Sequence, residues 1–528
     1  MAHSPLFAQL RRQLAIVRTA ATRGVETEQV REEISRRATS RREFLSRAGL
    51  AVAGVAALPS VGAAATAPTA KVIVVGAGFS GLTAAYRLKQ AGVVAEVHEA
   101  NSFVGGRVRT GRGFFNDGQI IELGAQFIDT NHTALRDLAA GFSLLEEDYF
   151  AGEPAGSEPV FRFNGVKYTF AEADADMKAM WPAMHQDVVD ANYPTLYNSY
   201  SPRGLQLDKM SIDQWIQATV PGGLASKFGK LLSVAYNTEY GAETHDQSSL
   251  NLLYLLGYTK RESMSIYGES DERYHIRGGN DQLGTKLAAA LPGQITTSSV
   301  LTAVVKRTDG RIDLVFKQGA KTVTRTADKA IFALPFSILR SSVDLTRAGF
   351  SALKMTAIRE LGMGANSKLH LQFTNRHWHT LGNNGDTYSE TGYQSTFDTT
   401  RAQTGVSGIL TDYTGGNASL AMSQGTTASQ ASLFLSRIEN VLPGLTAKWN
   451  KKAVLNHWPA NPWSKGAYCY WRVGQVTKFG GSEGERDGNS LFCGEHTSID
   501  FQGFMNGAVE TGERAATEVL VDLGLAKR

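Results

Sequence analysis

The stretch KVIVVGAGFSGLTAAYRLKQAGVVAEVHEA, residues 71–100, passes from a β-branched apolar run to a helical pattern and back to an apolar run. Gly76, Gly78 and Gly81 stand at the first change, where glycines permit a tight turn and let backbone N–H groups approach a pyrophosphate. Glu99 ends the second predicted strand, where a carboxylate can accept hydrogen bonds from a ribose diol. The stretch therefore predicts a βαβ unit that binds a dinucleotide. The alternative is a buried turn that merely tolerates glycine.

Length and charge limit the classes of function that fit the chain. At 528 residues it is too long for one compact core, so two or more domains are expected. The formal charge is +4, but residues 1–47 hold ten Arg and five Glu, so the remainder carries −1. Because no Lys/Arg stripe follows, nucleic acid is not expected as a partner. His377 and His379 lack a companion cluster of Cys, His or Asp, so no metal site is predicted.

The N-terminal segment has the pattern of a targeting signal. TSRREFLSRAGLAVAGVAALPSVGAAATA, residues 39–67, joins an Arg pair to a modest apolar stretch and then to small residues. Arg41 and Arg42 resemble the pair of a twin-arginine export signal, which predicts that residues 1–66 are a leader and that the protein is periplasmic or secreted. A membrane anchor is the alternative, but an Ala-rich stretch interrupted by Pro59 argues against a stable span after signal removal. The role of residues 1–38 and cleavage of the leader stay open.

Three further stretches carry glycines and charged residues in a recognisable order. NSFVGGRVRT (residues 101–110) and IIELGAQFI (residues 120–128) follow the βαβ unit, and FCGEHTSIDFQGFMNGAVETGERAA (residues 492–516) holds a second strand-to-helix turn. Taken alone, the second turn fits an amphipathic helix packed on a sheet equally well. Together the stretches resemble the flavin amine oxidases, a family that includes monoamine, polyamine and L-amino-acid oxidases. The resemblance extends over nearly all of residues 71–525 and implies FAD as the cofactor.

The resemblance assigns FAD contacts to residues far apart in the sequence. An arginine after two glycines can approach a phosphate closely. The second turn implies a glutamate near the ribityl chain and a helix N-terminus at the pyrimidine edge of the flavin, where partial positive charge stabilises the reduced anion. Besides the first three glycines and Glu99, the residues assigned to this site are Gly106, Arg107, Gln126, Leu301, Trp463, Glu495 and Met505.

Three residues are assigned to catalysis by the same resemblance. Lys368 falls where the family keeps a lysine that holds a water against flavin N5 and assists the reaction of reduced flavin with oxygen. Tyr468 and Phe504 match two facing rings that flank the substrate nitrogen, orient its α C–H bond and attract a cation through the ring quadrupole. Alternatively, Lys368 is an exposed lysine on a strand, and Tyr468 and Phe504 are aromatic residues of the hydrophobic core. Phe504 replaces the tyrosine of monoamine oxidases, which leaves substrate preference open more than reaction type.

An α/β fold with two domains is expected. A Rossmann-like FAD-binding domain would be assembled from three segments, residues 68–130, 275–340 and 455–526. The segments between them, residues 131–274 and 341–454, would form a mixed α+β substrate-binding domain with a helical cap.

The activity implied is oxidation of a small amine by molecular oxygen. Hydride would pass from the amine α-carbon to flavin N5, giving an imine that hydrolyses to a carbonyl compound and ammonia, while oxygen reoxidises the flavin and yields hydrogen peroxide. An L-amino-acid oxidase, an amine dehydrogenase with another electron acceptor, and a non-catalytic secreted flavoprotein are the alternatives. Phe127 stands where L-amino-acid oxidases bind the substrate carboxylate with an arginine, which favours an amine, although another arginine could take that role. Asn237, Tyr240 and Glu243 are candidates for contacts with the tail of the amine. The oligomeric state stays open, and a homodimer is one assembly that the sequence allows.

The cysteines bear on how FAD is attached. Cys469 and Cys493 are the only two in the chain, and two cysteines form no disulfide framework. Ala467 stands where the animal monoamine oxidases carry the cysteine that bonds FAD, so the resemblance implies non-covalent FAD. Cys469, two residues further on the same strand face, leaves a shifted attachment open.

Overall fold

The computed structural model describes residues 70–259 and 264–526. The predicted leader, residues 1–66, lies outside the described residues, and so does the Arg41–Arg42 pair. Among the helices of the described ranges, none combines the length and the apolar character that crossing a bilayer requires.

A parallel sheet of five strands contains the predicted βαβ unit. Val72–Val75 is buried along its whole length and pairs in parallel with Ala95–His98 on one side and Lys329–Phe332 on the other. The helix Phe79–Gln90 connects the first two of these strands, so the βαβ unit is confirmed. The order across the sheet is Ser490–Phe492, Lys329–Phe332, Val72–Val75, Ala95–His98 and Ile295–Thr296.

Helices cover one face of the parallel sheet. Val72 and Val74 share a hydrophobic core with the helices Phe79–Gln90, Asp281–Ala289 and Met505–Asp522. The last of these crosses the first at very short range, because a Cβ on Gly512 would lie 2.3 Å from the carbonyl oxygen of Ser80. The beginning and the end of the described chain are thus packed against each other.

A four-stranded sheet covers the other face. Its Leu314 and Phe316 share a second core with Ile73 and Val75, which alternate with the valines of the first core along the same strand. Both faces of the parallel sheet are therefore buried, as its continuous apolar run requires. The order across this sheet is Lys321–Ala327, Ile312–Gln318, Val300–Lys306 and Asp344–Arg347.

A seven-stranded sheet, mostly antiparallel, forms the centre of the other half. Asn366–Phe373 is buried at every residue and pairs antiparallel with Gly408–Gly415 and Trp449–His457. Lys368 therefore lies on a central strand and not on an exposed one. The strand Trp449–His457 runs across residues 454 and 455, where the sequence places a domain boundary. The order is Trp449–His457, Asn366–Phe373, Gly408–Gly415, Ser395–Asp398, Asn383–Ser389, Glu158–Phe163 and Val166–Tyr168.

Residues 131–274 supply most of the helices that cover this sheet. Their core includes Trp215 and Tyr236, which are fully buried. The region is not purely helical, because Glu158–Phe163 and Val166–Tyr168 add the last two strands to the seven-stranded sheet. Its helices are Thr133–Gly141, Phe170–Ala191, Pro202–Asp208, Ile212–Thr219, Lys227–Tyr240 and Ser249–Leu256.

Short elements connect the two halves. The pair Gly362–Met363 and Cys469–Tyr470 is antiparallel, and the Gly364 N–H donates to Tyr468 O at 2.7 Å, which brings residue 468 close to the strand that carries Lys368. The other short strands are Thr110–Gly111, Ile121–Glu122, Glu146–Asp148 and Tyr274–Ile276. The remaining helices are Phe336–Ser342, Ala352–Glu360, His377–Thr380, Gly416–Ala421, Thr427–Ile438 and Val476–Phe479.

Candidate active site

A cavity of about 740 Å³ is lined by residues of both halves. Gly76 and Glu99, from the parallel sheet and its first turn, line one end, which we call the cofactor end. Lys368 and Phe397, from the seven-stranded sheet, line the other end, which we call the substrate end. Of the residues predicted to bind cofactor or to act in catalysis, Gly81 alone stands outside the lining.

The first glycine-rich turn leaves no room for side chains at two positions. A Cβ on Gly76, whose φ is +104°, would lie 2.7 Å from Ala333 O, and one on Gly81 would lie 2.0 Å from Gly76 O. Gly81 therefore acts by holding the helix Phe79–Gln90 against the turn. Gly78 caps that helix without a side-chain hydrogen bond, so the first backbone N–H groups of the helix remain available to an anion.

Glu99 is fixed at the wall of the cofactor end. Its Oε2 accepts a hydrogen bond from Ala77 N at 2.7 Å, and its Oε1 accepts one from Asn101 N at 2.8 Å. Burial raises the pKa of this carboxyl above its ordinary value. Leu301 lines the same cavity, and its side chain also belongs to the core between the parallel and four-stranded sheets.

An ion pair joins the loop after the second strand to the second glycine-rich turn. Arg107 Nη1 donates to Glu495 Oε1 and to Ala467 O, each at 2.7 Å. Burial acts to raise the pKa of Glu495, but Arg107, His496 and Cys469 together hold that pKa below the ordinary value. Gly106 contacts the first turn, since a Cβ there would lie 3.2 Å from Gly78 Cα. The loop after the second strand is thus fixed to both turns.

The second turn, like the first, leads into a helix whose N-terminus has no side-chain cap. Phe504 precedes the helix Met505–Asp522 and gives it no side-chain hydrogen bond, so this N-terminus also has free backbone N–H groups. Met505 and Trp463 line the cavity beside it. Because a helix N-terminus carries partial positive charge, the turn offers a second site for negative charge.

Lys368 is buried, and its ammonium group is held by three acceptors. Nζ donates to Gly124 O at 2.8 Å, to Gln126 Oε1 at 3.0 Å and to Glu122 O at 3.2 Å. Burial lowers the pKa of Lys368 to about 8, although the nearby Glu122 opposes the shift. Gln126 therefore supports the lysine from the cavity wall, and the positive charge has one fixed position.

Tyr468 and Phe504 reach the cavity from different elements and have different supports. A Cβ on Gly503 would lie 3.8 Å from Tyr468 Cδ2, so the Tyr468 ring is next to the residue that precedes Phe504. The hydroxyl oxygens of Tyr468 and Tyr413 are 2.5 Å apart, which fixes the first ring. The second ring packs on His132, with centroids 5.1 Å apart.

The substrate end contains charged residues that sequence reasoning missed. They are Glu239, Asp271, Glu272, Asp386 and Arg401. They come from separate segments and form no motif, so only the fold brings them together. The one available signal was the position of Glu239 beside Tyr240, one of the candidates for contacts with the tail of the amine.

The three candidates for tail recognition have different outcomes. Tyr240 lines the cavity. Asn237 Oδ1 accepts a hydrogen bond from Gln394 Nε2 at 2.8 Å, and Glu243 Oε1 accepts one from Asn417 N at 2.8 Å. These two side chains join the cap to the seven-stranded sheet and the helix after it, and they do not face the cavity.

Both arginines that line the cavity in the described ranges are paired with carboxylates. Arg401 donates to Asp386 Oδ1 at 2.6 Å, to Asn384 O at 3.0 Å and to Glu153 Oε2 at 3.2 Å. Arg107 is held by Glu495. Phe127, in place of the carboxylate-binding arginine, packs edge-on against Tyr149 and Phe397.

Comparison with known proteins agrees with this arrangement. The family model described as flavin containing amine oxidoreductase matches residues 79–520. The chain belongs to this family. This oxidoreductase is 24% identical to a flavin-containing amine oxidase of Oncorhynchus mykiss, over 86% of its own chain and 87% of the relative. It is 24% identical to an L-amino-acid oxidase of Siganus canaliculatus, over 85% of each chain.

A solved structure has the same fold. Putrescine oxidase with putrescine bound matches with a TM-score of 0.73 at 20% identity, over 86% of this chain and 99% of that one. The predicted α/β fold class and the predicted flavin amine oxidase family are confirmed, and the chain is an enzyme of the flavin-containing amine oxidoreductases.

The residues of this amine oxidoreductase fit a flavin dinucleotide. Two helix N-termini without side-chain caps border one cavity, with Glu99 fixed at its wall. His496 also lines the cavity and is buried, yet neither ring nitrogen has a hydrogen-bond partner within residues 70–259 and 264–526. Free donors at two separated turns suit a ligand with phosphates at one end and a hydrogen-bonding ring at the other.

Proposed function

We propose that this chain is an FAD-dependent oxidase of small amines. The observation that carries the proposal is the single cavity in which two uncapped helix N-termini, buried Lys368 and the rings of Tyr468 and Phe504 meet. FAD, when bound, supplies the acceptor for hydride from the amine α-carbon and passes the electrons to oxygen, so the products are an imine that hydrolyses to a carbonyl compound and ammonia, and hydrogen peroxide.

The residues of the substrate end bind and orient the amine. Tyr468 and Phe504 attract the nitrogen through their π faces and restrict the direction of the α C–H bond. The short contact between Tyr468 and Tyr413 keeps the first ring in place. Lys368 holds a positive charge at the wall, which favours the negative charge that develops as oxygen accepts electrons.

The charges of the cavity favour an amine over an α-amino acid. A substrate carboxylate needs a free cation, preferably an arginine that can bind it in a bidentate manner. Arg107 and Arg401 are both paired, and four carboxylates line the substrate end, at Glu239, Asp271, Glu272 and Asp386. An α-carboxylate would therefore find no unpaired arginine in the described lining and would lie among acidic side chains that offer it no counter-charge.

We propose that FAD is bound without a covalent bond. Ala467 lines the cavity, whereas the Cys469 thiol is buried and donates to Glu495 Oε2 at 3.0 Å. Burial and the neighbouring carboxylate raise the pKa of Cys469 well above its ordinary value, so the thiol is a poor nucleophile. Acid precipitation of the purified yellow protein should leave all flavin in the supernatant, and flavin that stays with the pellet would contradict this part of the proposal.

We also propose export through the twin-arginine route, on the strength of Arg41 and Arg42 and the apolar stretch that follows them. Replacing both by lysine should leave the enzyme and its flavin in the cytoplasmic fraction of the producing cell. Unchanged appearance outside the cytoplasm would refute this route.

A peroxide-release screen of monoamines, polyamines and L-amino acids tests the activity. Peroxide formed with amines supports the proposal, and a response limited to L-amino acids refutes it in favour of the amino-acid alternative. Anaerobic bleaching of the flavin by an amine, followed by slow reoxidation in air, would instead identify a dehydrogenase. A yellow protein that no amine bleaches would be a flavoprotein without this activity.

A further inference from the structure

We propose that the substrate end binds a second cationic nitrogen, so the preferred substrate is a diamine or polyamine. The proposal rests on the amine oxidase function above and adds the class of amine. It assigns Glu239 and Glu272 as the residues that bind the distal ammonium group.

Glu239 is placed on the Tyr468 side of the cavity. It follows Thr238, whose carbonyl oxygen lies 3.5 Å from Tyr468 Oη, near the end of the helix Lys227–Tyr240. Its side chain lines the same cavity as the Tyr468 ring. An ammonium group bound there is therefore close to the ring that receives the reacting nitrogen.

Glu272 is placed on the Phe504 side. Its backbone N–H donates to Asp129 Oδ1 at 3.0 Å, and Asp129 in turn lies 3.2 Å from Nε2 of His132, the residue on which the Phe504 ring packs. The φ of Glu272 is +47°, a left-handed conformation that is costly for a residue with a side chain. The hydrogen bond from its N–H holds that conformation and directs Glu272 to the cavity.

The carboxylates of Glu239 and Glu272 accept no hydrogen bond from any residue in 70–259 or 264–526. The other acids of this end have partners, since Asp386 is paired with Arg401 and Asp271 accepts from Thr130. Burial raises the pKa of Glu239 to about 8, and burial with the nearby Glu239 raises that of Glu272. At neutral pH Glu239 is therefore mostly protonated without a ligand, and an ammonium group bound beside the two acids would stabilise their ionised form.

Aromatic residues complete a site for a cation. Tyr240, Tyr267, Tyr388 and Tyr413 line the same end, and the hydroxyls of Tyr267 and Tyr388 hydrogen-bond to each other at 3.0 Å. Aromatic faces beside carboxylates attract ammonium groups. Of the positive groups at this end, Arg401 is paired with Asp386, and the hydrogen bonds of the Lys368 ammonium go to Gly124 O, Gln126 Oε1 and Glu122 O and not to the two glutamates.

The test compares 1,4-diaminobutane with two probes of matched length, n-butylamine and 4-amino-1-butanol. In the flavin-loaded wild type we expect kcat/KM for the diamine to exceed that for each probe by at least about tenfold, as one buried charge pair allows. In Glu239→Gln and Glu272→Gln the ratio of diamine to n-butylamine should fall about tenfold, chiefly through a higher KM for the diamine. Glu239→Asp, which keeps the charge, should retain most of the preference.

Glu360→Gln is the matched control, because Glu360 forms an exposed ion pair with Lys478 away from the cavity. It should leave the ratio unchanged. A wild type without preference for the diamine, or glutamine variants with the wild-type ratio and full flavin content, would overturn the proposal. If no amine at all reduces the flavin, it is the amine oxidase function that fails, so the two failures are distinguishable.

Discussion

The two ends of the cavity differ in whether all their acidic side chains have hydrogen-bond partners in the protein. At the cofactor end Arg107 is paired with Glu495, and Glu99 accepts two backbone hydrogen bonds. At the substrate end the carboxyl groups of Glu239 and Glu272 accept no hydrogen bond from any described residue, although both residues line the cavity. Around a cofactor that stays bound, the protein itself can pair the charged side chains. Around a substrate that is exchanged, an unpaired acidic side chain remains available to bind a positive charge of the substrate.

The largest effect is expected from a substitution that distorts the first glycine-rich turn at the cofactor end. In Gly81→Val the new side chain would begin 2.0 Å from Gly76 O and 3.1 Å from the Ala333 side chain, so the helix Phe79–Gln90 must move away from the turn. Overpacking costs about 1–3 kcal/mol or more, and if this cost falls on the cofactor-binding conformation it lowers FAD affinity by roughly five- to 160-fold or more. The ratio of flavin to protein absorbance of the purified variant measures this loss.

Gly141→Ala is the control for this variant, since no atom lies within 4 Å of a Cβ there. It should keep full flavin content. Wild-type flavin content in Gly81→Val would show that the turn tolerates the displacement and that the cofactor end is less rigid than its contacts indicate.

A second prediction concerns the buried positive charge of Lys368 at the substrate end. Because burial lowers the pKa of Lys368 to about 8, its ammonium form is present below that pH and is lost as the pH rises through it. Reoxidation of the reduced flavin by oxygen should therefore slow above about pH 8, and Lys368→Met should be slower by about 10² at neutral pH and show no such step. Stopped-flow reoxidation across this pH range measures both.

Lys354→Met is the matched comparison, because Lys354 is equally buried but donates to Ser482 O and Glu483 O outside the cavity. Its reoxidation rate per bound flavin should equal that of the wild type. Fast, step-free reoxidation in wild type and Lys368→Met alike would refute the role of the lysine.

The smallest effect is expected from Tyr413→Phe, which tests whether the hydroxyl of Tyr413 holds the Tyr468 ring in place at the substrate end. The change removes the hydroxyl that contacts Tyr468 Oη and leaves both rings in place. A net loss of about 1 kcal/mol predicts a roughly fivefold lower kcat/KM for amines. Tyr393→Phe removes a buried hydroxyl bonded to Thr387 in another core and should preserve kcat/KM, so equal losses in the two variants would contradict a specific role for Tyr413.

The sequence predicts the cofactor end far better than the substrate end. The glycines and Glu99 stand in one short stretch whose backbone requirements are visible in the residue types themselves. Glu239, Glu272 and Arg401 lie in separate segments, and each is an ordinary charged residue until strand pairing and helix packing bring them together. The family resemblance implied Lys368, Tyr468 and Phe504 from the motifs in which they stand, and it implied no residue for the acidic wall of the substrate end.

The packing of the last helix on the first has a consequence for how the enzyme matures. Met505–Asp522 lies directly on Phe79–Gln90, and Ser490–Phe492 extends the sheet that Val72–Val75 begins. A ribosome must therefore release almost the whole polypeptide before a complete flavin cradle exists. We therefore expect cofactor insertion to follow translation. Truncation of the final helix, which would also uncover the hydrophobic core beneath it, should yield protein that holds no flavin.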